Sequence, residues 1–482
     1  MMENLSMKMN RMAGRWVLSV LCAVGVGAQA LAAGSPSKNI IFILADDQRS
    51  DVLGCYGNEL IKTPTIDALA ENGVRFENFF CETPICSASR ATLLSGLSQR
   101  SHGFNFGEPP LPAKYIATSY PAYLKANGYR TGFTGKFGFR YSKSDKKEQF
   151  DFFKPYDRNP YLKKMPDGSL RHETDLCADA AIEFIKTNPE NKPFCLSVSF
   201  NASHAEDSDH RPGFHFQWPE STDGLYEDIA MPLPKLGDDK YFKATPEFLQ
   251  DEKELSRARY FWRWDTPEKY QINLRAYFRM ITGIDHAVAR ILTELKAAGL
   301  DQNTVIVYTG DNGFMMADRG LAGKWNHYEQ SLHVPFIVYD PTLPKQKRGR
   351  VITELGTHLD VAPSIVEWAG LDQPDVYQGE SLVKLVEGEP VSGWREEVYC
   401  EHKFNRYNNW YGVRGKKYKY AVYYDEPDGP YECLYDLEKD PTEFVNLAEN
   451  PEYAAVRKQM VKRLDAYLDA FPPAAGKRAK KK

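Results

Sequence analysis

The stretch Asn39-Ile40-Ile41-Phe42-Ile43-Leu44-Ala45 is followed at once by Asp46 and Asp47. An unbroken apolar run of this length is typical of a β-strand that is buried on both faces, as in a parallel sheet. Similar runs occupy residues 129–134, 194–200 and 304–308, and each of them also leads into polar residues. We therefore expect four parallel strands whose carboxyl ends carry polar side chains.

Helical patterns separate these strands, at residues 65–72, 119–127, 175–187 and 270–298. Strands that alternate with helices predict an α/β fold, with a central, mostly parallel sheet flanked by helices. After residue 370 the pattern changes to short, alternating aromatic segments at 399–401, 410–414 and 418–423, followed by a helical segment at 451–471. This change indicates a smaller C-terminal subdomain made of an antiparallel sheet and a helix.

The chain divides into four predicted segments: a signal peptide (1–33), a catalytic domain (34–370), a C-terminal α+β subdomain (371–472) and a basic, disordered tail (473–482). Lys8, Arg11 and Arg15 precede an apolar run at 16–26, and small residues follow, with cleavage expected after Ala30, Ala32 or Ala33. The apolar run is too short to span a bilayer comfortably. We therefore expect an exported protein, periplasmic or secreted, without a membrane anchor.

The overall composition is that of an ordinary soluble globular protein, with 42% hydrophobic and 26% charged residues. The formal net charge of −4 provides no positive field to neutralise phosphates, so a nucleic-acid-binding protein is excluded. The chain has eight cysteines, and an oxidising compartment would allow disulfides between them. Cys400 and Cys433 are the best candidates for a pair, although spacing alone leaves the connectivity open.

Acidic and amide side chains follow two of the predicted strands, Asp46 and Asp47 after the first and Asp311 and Asn312 after the run at 304–308. Ligands bind at the carboxyl ends of strands in open α/β sheets. Three carboxylates brought together there would repel each other without a cation, and hard oxygen ligands suit Ca²⁺ or Mg²⁺ rather than zinc. The alternative is that these residues are simply turn and cap residues.

A second candidate feature is the segment at 84–96, in which Cys86 precedes small residues and a helical apolar pattern. A cysteine at the N-terminus of a helix is a candidate nucleophile, because the free backbone N–H groups there stabilise negative charge. Arg90 lies one helical turn further on and adds a fixed positive charge to the same face. The alternative is a buried structural cysteine.

The stretch Cys86-Ser87-Ala88-Ser89-Arg90 resembles the Cys-x-(Pro/Ala)-x-Arg motif of the type I, formylglycine-dependent sulfatases, which belong to the alkaline-phosphatase-like superfamily. Further blocks resemble the same family in the same order, at residues 46–49 with 54–58, 309–313, 323–324 with 334–338, and 434–437 with 440–441 and 446–447. The resemblance covers nearly the whole chain after residue 33, and it implies an alkaline-phosphatase-like sheet with a carbohydrate-sulfatase-like activity.

The resemblance also implies a modified nucleophile. A separate formylglycine-generating or anaerobic sulfatase-maturating enzyme would oxidise Cys86 to formylglycine, and a hydroxyl of its hydrate would attack the sulfur of a sulfate ester. By the same resemblance, the modified Cys86 would bind one divalent ion together with Asp46, Asp47, Asp311 and Asn312. Calcium is expected at this position rather than magnesium.

Four further roles follow from the resemblance. Arg90 would hold the formylglycine hydrate, and Lys136 would contact the sulfate. His204 would act as the general acid that protonates the leaving oxygen. Lys324 would contact both the sulfate and the leaving-group oxygen.

One departure from the family concerns the run Gly135-Lys136-Phe137-Gly138-Phe139-Arg140. Many family members have a histidine shortly after the Gly-Lys pair, where it steadies the nucleophile, and this run has none. His102 and His327 are the candidates to replace that histidine.

We therefore expect an exported sulfatase that releases inorganic sulfate from a sulfated carbohydrate. Sugar sulfates are preferred over aryl sulfates because export suggests the breakdown of extracellular polymers. Two alternatives stay open: a phosphodiesterase or phosphonate monoester hydrolase of the same superfamily, and a non-catalytic protein that binds sulfated glycans.

Overall fold

The computed structural model describes residues 37–106, 110–139, 146–211, 213–404 and 408–474. The predicted signal peptide (1–33) lies outside the described residues, as does most of the predicted basic tail. Of that tail, residues 473 and 474 are described, and the backbone N–H of Ala474 donates a 2.8 Å hydrogen bond to the carbonyl oxygen of Arg100.

The strands are β1 (Asn39–Ala45), β2 (Val74–Phe80), β3 (Arg130–Gly135), β4 (Phe152–Pro155), β5 (Leu162–Lys164), β6 (Leu170–His172), β7 (Phe194–Ser199), β8 (Thr304–Gly310), β9 (Met315–Met316), β10 (Ala322–Gly323), β11 (Phe336–Tyr339), β12 (Arg350–Thr357), β13 (Glu397–His402), β14 (Trp410–Gly415), β15 (Tyr418–Tyr423) and β16 (Tyr431–Asp436). The helices are α1 (Pro64–Asn72), α2 (Cys86–Ser95), α3 (Gln99–His102), α4 (Lys114–Ala117), α5 (Tyr120–Ala126), α6 (Glu173–Lys186), α7 (Asp239–Lys243), α8 (Glu247–Gln250), α9 (Leu255–Arg263), α10 (Pro267–Ala297), α11 (Glu329–Leu332), α12 (Val361–Trp368), α13 (Val383–Glu387) and α14 (Ala454–Ala470). Within the described ranges, none of these helices has the length and apolar character needed to cross a membrane.

An eight-stranded sheet lies at the centre of the fold, in the order β12-β2-β11-β8-β1-β7-β3-β4. Every neighbouring pair is parallel except the two pairs that involve β11, which runs antiparallel to both β2 and β8. The mostly parallel α/β sheet predicted from the sequence is therefore confirmed, and β1, β3, β7 and β8 occupy nearly the predicted positions.

Both faces of the sheet are covered, which explains why β1 is apolar at every position. Ile41 and Ile43 pack into the core that contains α6 and α10. Ile40, Phe42 and Leu44 point to the other face, towards the core formed with α5 and α12. Because successive side chains of a strand point to opposite faces, a strand between two helical layers needs an unbroken apolar run.

The C-terminal region forms an antiparallel sheet in the order β13-β14-β15-β16, and α14 packs against it. This is the predicted combination of antiparallel sheet and helix. Phe80 of β2 and Leu355 of β12 share a hydrophobic core with Val398 and Trp410 of this sheet. The described residues from Ser37 onwards accordingly form one compact unit, and the boundary after residue 370 stays a prediction.

The expected disulfide between Cys400 and Cys433 is wrong, since both cysteines are free. Cys400 lies on β13 and Cys433 on β16, which are the two outer strands of the four-stranded sheet. Three strand spacings of about 4.8 Å separate them, whereas the Cα atoms of a disulfide lie within about 7 Å of each other.

Candidate active site

Four adjacent parallel strands, β8, β1, β7 and β3, end at the same edge of the central sheet. The residues that follow these ends are Asp311 and Asn312 after β8, Asp46 and Asp47 after β1, His204 after β7 and Lys136 after β3. All of the predicted strand-end residues therefore lie on one edge, as the sequence pattern indicates.

Cys86 is the first residue of α2, and every residue of that helix is buried. The preceding residue, Ile85, is in an extended conformation, so the helix begins abruptly at Cys86. Gly96 ends the helix with a left-handed φ of 65°, a conformation that glycine adopts without strain. The Cys86 side chain consequently lies at the positive end of the helix dipole.

The predicted metal ligands lie in two overlapping groups that share Asp46. One potential ligand atom from each of Asp46, Cys86 and Asp311 lies within 4.8 Å of the others, and the same holds for Asp46, Asp47 and His204. Asn312 joins the cluster through its Nδ2, which donates a 2.7 Å hydrogen bond to Asp47 Oδ1. The structure therefore brings the four oxygen-bearing residues and Cys86 together.

The donor set fits a hard divalent cation. Among the described residues, Asp46 Oδ1 and Asn312 Oδ1 are buried and have no hydrogen-bond partner. Nearly all buried polar atoms in proteins have a partner, so two oxygens without one in a single cluster require an explanation. A calcium or magnesium ion bound to these carboxylate and amide oxygens would provide it.

Three cationic side chains approach the carboxylates. Arg90 Nε donates a 2.8 Å hydrogen bond to Asp311 Oδ2, and its Nη1 donates one of the same length to the carbonyl oxygen of Lys136. The Lys136 ammonium forms an ion pair with Asp46, and the Lys324 ammonium forms one with Asp47. The cluster therefore combines acidic ligands with positive charges that face the same space.

The two best-buried carboxylates differ in acidity. Burial raises the pKa of Asp46, but Lys136, Arg90 and Lys324 outweigh burial and lower that pKa to about 2. Burial and the negative charge of Asp46 raise the pKa of Asp311 to about 6. Two neighbouring carboxylates repel each other when both are ionised. A bound cation would offset that repulsion and favour the ionised form of both Asp46 and Asp311.

Both ring nitrogens of His204 have close polar neighbours. Its Nδ1 lies 2.7 Å from the carbonyl oxygen of Ala205, and Arg158 Nη1 lies 2.7 Å from Nδ1 and 2.9 Å from Nε2. Nε2 lies 3.6 Å from Asp47 Oδ2, on the side of the metal ligands. Burial, together with the charges of Arg158, Lys324 and Lys136, holds the pKa of His204 well below its ordinary value.

The cluster lies at the floor of a cleft of ≈ 860 Å³. The residues that line it include the aromatic Phe106, Trp325 and Phe404 and the charged Arg158 and Arg259. Sequence reasoning missed the two arginines, because an isolated arginine outside a motif is usually a surface residue. Their position depends on tertiary packing between β4, the loop after β7 and α9.

The run after the Gly-Lys pair, which lacks the histidine, contains Gly138, and Gly138 lies against Arg90. Gly138 has a φ of 83°, and a Cβ atom built on it would lie 2.6 Å from Arg90 Cδ. His102 and His327 do not take over the role. The ring nitrogens of His102 contact the backbone N–H of Phe104 and the hydroxyl of Thr92. The ring nitrogens of His327 contact the hydroxyls of Tyr423 and Tyr435.

The sequence analysis also missed His358, which is buried and connects two elements of the site. Its Nδ1 lies 3.0 Å from Ser89 Oγ on α2, and its Nε2 lies 3.0 Å from the carbonyl oxygen of Gly310 at the end of β8. The ring therefore joins the helix that carries Cys86 to the strand that precedes Asp311.

Comparison with known proteins identifies related chains along almost the whole length described. The family profile named Sulfatase matches residues 38–371, and the profile named N-sulphoglucosamine sulphohydrolase, C-terminal, matches residues 318–469. An arylsulfatase of Clostridium perfringens is 31% identical over an alignment that covers 90% of this chain and 95% of that protein. An N-acetylglucosamine-6-O-sulfatase of Bacteroides thetaiotaomicron is 26% identical, with 89% of this chain and 85% of that protein covered.

Among solved structures, a protein in complex with its substrate D-glucosamine-2-N,6-O-disulfate superposes with a TM-score of 0.75. The superposition covers 90% of this chain and 98% of that chain, at 24% sequence identity. At this level of identity the likeness establishes the fold alone.

Proposed function

The chain belongs to the sulfatase family and is a sulfuric ester hydrolase, and from this premise we propose that it releases inorganic sulfate from a sulfated carbohydrate. The carbohydrate specificity of the N-acetylglucosamine-6-O-sulfatase relative supports this substrate class. A phosphonate monoester hydrolase is not favoured, because the Sulfatase profile matches residues 38–371 and the relative that is 31% identical over 90% of this chain is an arylsulfatase.

The observation that carries the proposal is the convergence of Asp46, Cys86 and Asp311, whose ligand atoms lie within 4.8 Å of one another at the floor of the cleft. A nucleophile position and a cation position are thereby adjacent, and Lys136 and Lys324 face the same space. A protein that merely binds glycans would not need a cysteine among buried metal ligands.

Sulfatases of this family generally use a metal ion and formylglycine. In the proposed reaction, formylglycine made from Cys86 by a formylglycine-generating or anaerobic sulfatase-maturating enzyme would supply the nucleophilic hydroxyl, and a calcium ion would supply positive charge beside it. Asp46, Asp47, Asp311 and Asn312 would hold that ion. Calcium suits the site better than magnesium because it tolerates irregular carboxylate coordination.

Two lysines bind the sulfate group, and an arginine orients residue 86. Lys136 and Lys324 attract the negatively charged sulfuryl oxygens and hold the ester next to residue 86. Arg90 fixes the start of α2 through its hydrogen bonds to Asp311 and to the carbonyl oxygen of Lys136, so residue 86 keeps its direction towards the ester.

His204 delivers the proton to the leaving oxygen. In the free protein the His204 ring is neutral, because burial and the positive charges of Arg158, Lys324 and Lys136 lower its pKa and disfavour a second proton. A bound sulfate ester brings negative charge next to these neighbours and offsets their effect on His204. Protonated Nε2 then donates to the sugar oxygen as the bond to sulfur breaks.

The proposal also includes export to the periplasm or the extracellular medium. It is supported by the sequence of residues 1–33, in which Lys8, Arg11 and Arg15 precede an apolar run and an alanine-rich end. N-terminal sequencing of the native protein from the periplasmic or secreted fraction tests it. A chain that begins just after Ala30, Ala32 or Ala33 is expected, and an intact residue 1 in the cytosolic fraction contradicts export.

The activity is tested with a panel of defined sulfated saccharides, assayed for released sulfate with calcium present and after chelation. We expect release from at least one saccharide, loss of release on chelation and its recovery with calcium. Cys86→Ala serves as the matched control and should release none. Persistent release by this variant would exclude residue 86 as the nucleophile, and a fully converted protein that hydrolyses no saccharide would exclude the substrate class.

A further inference from the structure

We propose that the cleft contains a second anion-binding subsite, formed by Arg158 and Arg259, which holds a carboxylate or a second sulfate group of the carbohydrate. This inference rests on the proposed function, because it names a further feature of the same substrate. Its basis is an unequal distribution of charge on one wall of the cleft.

Three arginines on this wall share one carboxylate. Asp207 lies 2.8 Å from Arg259 and 3.7 Å from Arg158, and it also forms an ion pair with Arg263. One negative charge does not neutralise three guanidinium groups, which do not lose their protons in proteins. A local excess of positive charge therefore faces the cleft.

Neighbouring acidic groups do not remove this excess. The charges of Asp46 and Asp47 reach Arg158 and Arg263, but these two carboxylates pair with Lys136 and Lys324. Glu206 accepts hydrogen bonds from Asn159 and from Ser208, and Asp157 lies exposed on the rim. Among the described residues that line the cleft, five carry a positive charge and two carry a negative charge. The positive set consists of Lys136, Lys146, Arg158, Arg259 and Lys324, and the negative set of Asp157 and Asp207.

The pKa of Arg263, the buried arginine of the three around Asp207, agrees with this excess of positive charge. Arg263 is fully buried, and burial together with the repulsion of Arg259 lowers its pKa to about 10, despite the attraction of Asp207. Burial is the main cause of the lowered pKa, and the electrostatic repulsion of Arg259 adds to it. A ligand anion at Arg158 and Arg259 would relieve that repulsion.

The subsite lies next to the reacting centre. Arg158 Nη1 lies 2.7 and 2.9 Å from the two ring nitrogens of His204. The Arg259 guanidinium lies over the Trp325 ring, 4.9 Å from its centre, and Trp325 directly follows Lys324. The two arginines are partly exposed, with 24% and 14% of their side-chain surface accessible, so both can contact a ligand. One saccharide can therefore present its sulfate ester to Lys324 and a further anion to the arginines.

The test uses matched disaccharides that carry the same scissile sulfate ester. One is otherwise neutral, one has a uronic acid carboxylate, one has the methyl ester of that carboxylate, and one has a second sulfate. Turnover is measured with the calcium-loaded, converted enzyme. Binding is measured by calorimetry in the Cys86→Ala background, where no turnover occurs.

We expect the wild-type cleft to prefer a disaccharide with a further anion over the neutral and methylated ones, mainly through KM. The carboxylate and the second sulfate serve as separate arms that identify which anion is recognised. Arg259→Gln should reduce this preference by about tenfold to a hundredfold, the range of hydrogen bonds to charged groups. Arg259→Lys should restore part of it.

Arg257→Gln is the control, because Arg257 lies on the same helix but donates to the carbonyl oxygen of Gly320. It should keep the wild-type preference. Equal losses for charged and neutral disaccharides in Arg259→Gln, or no preference in the wild type, would overturn the subsite. If no disaccharide is hydrolysed but the binding preference is present and depends on Arg259, the subsite stands and the proposed function fails.

Discussion

Arg90 Nε donates a 2.8 Å hydrogen bond to Asp311 Oδ2, although the two residues lie 221 positions apart in the chain. The contact joins the helix that begins with Cys86 to the end of β8. Both side chains are almost fully buried, with 3% and 0% of their surface exposed. Removal of one partner of such a pair leaves an uncompensated buried charge.

The Arg90→Met variant should therefore lose about 3 kcal/mol of unfolding free energy as well as its activity. Denaturant titration of the calcium-free protein measures the first effect. Arg457→Met is the control, because Arg457 pairs with Glu432 at the surface, where such pairs contribute less than about 1 kcal/mol. Equal stability of the two variants would show that the Arg90 contact does not hold the site together.

Glu173 makes the stability of the fold depend on pH. Burial raises its pKa to about 7, despite hydrogen bonds from Cys177 and Asn201, whereas an unfolded chain ionises this group near 4.5. Between these two values the folded state binds more protons than the unfolded state, so this group's contribution to stability falls as pH rises and is constant above about 7.

Glu173→Gln should remove this dependence. The free energy of unfolding of the wild type, relative to the variant, should fall by about 3 kcal/mol between pH 4.5 and 7. Denaturant titrations across that range provide the measurement, with the exposed Glu190→Gln as the control. Parallel curves for the wild type and Glu173→Gln would mean that the Glu173 carboxyl titrates normally.

His204→Ala should affect substrates according to their leaving groups. A sugar alkoxide needs a proton when it leaves, so loss of a general acid should slow sugar sulfates by about a hundredfold or more. An activated aryl sulfate has a stable leaving anion and should lose far less. Measured kcat/KM values for a series of esters with graded leaving-group acidity decide the role, and uniform losses across the series would exclude it.

Calcium should stabilise the protein independently of turnover. A ligand at about a thousand times its dissociation constant adds about 4 kcal/mol to the unfolding free energy of the state that binds it. The wild type should therefore melt at a higher temperature with calcium than after chelation, and Asp46→Asn should show little of this shift. A calcium effect of equal size in both proteins would place the ion elsewhere.

Much of the sheet could be predicted because its central strands are buried on both faces. The run at 39–45 carries this signal at every position, and the polar residues that follow it locate the site at a sheet edge. β2 escaped prediction because Arg75 and Glu77 interrupt its apolar pattern. β11 has four residues and runs antiparallel, and its direction follows from pairing with β2 and β8 rather than from its own sequence.

The site residues also fall into those that the sequence indicates and those that it does not. Cys86, Arg90 and the strand-end acids belong to short motifs with their own local pattern, so the sequence indicates them directly. Arg158 and Arg259 come from separate segments and meet at Asp207 only through tertiary packing. The strand order of the C-terminal sheet likewise separates Cys400 from Cys433, which the spacing of the two cysteines does not reveal.

The state of residue 86 is the most direct test of the whole account. Mass analysis of the peptide that contains it, in protein produced with and without a maturation enzyme, should show conversion of Cys86 to an aldehyde. Sulfate release should rise in proportion to the converted fraction. Protein that hydrolyses sulfate esters fully while residue 86 is still an unmodified cysteine would contradict the account.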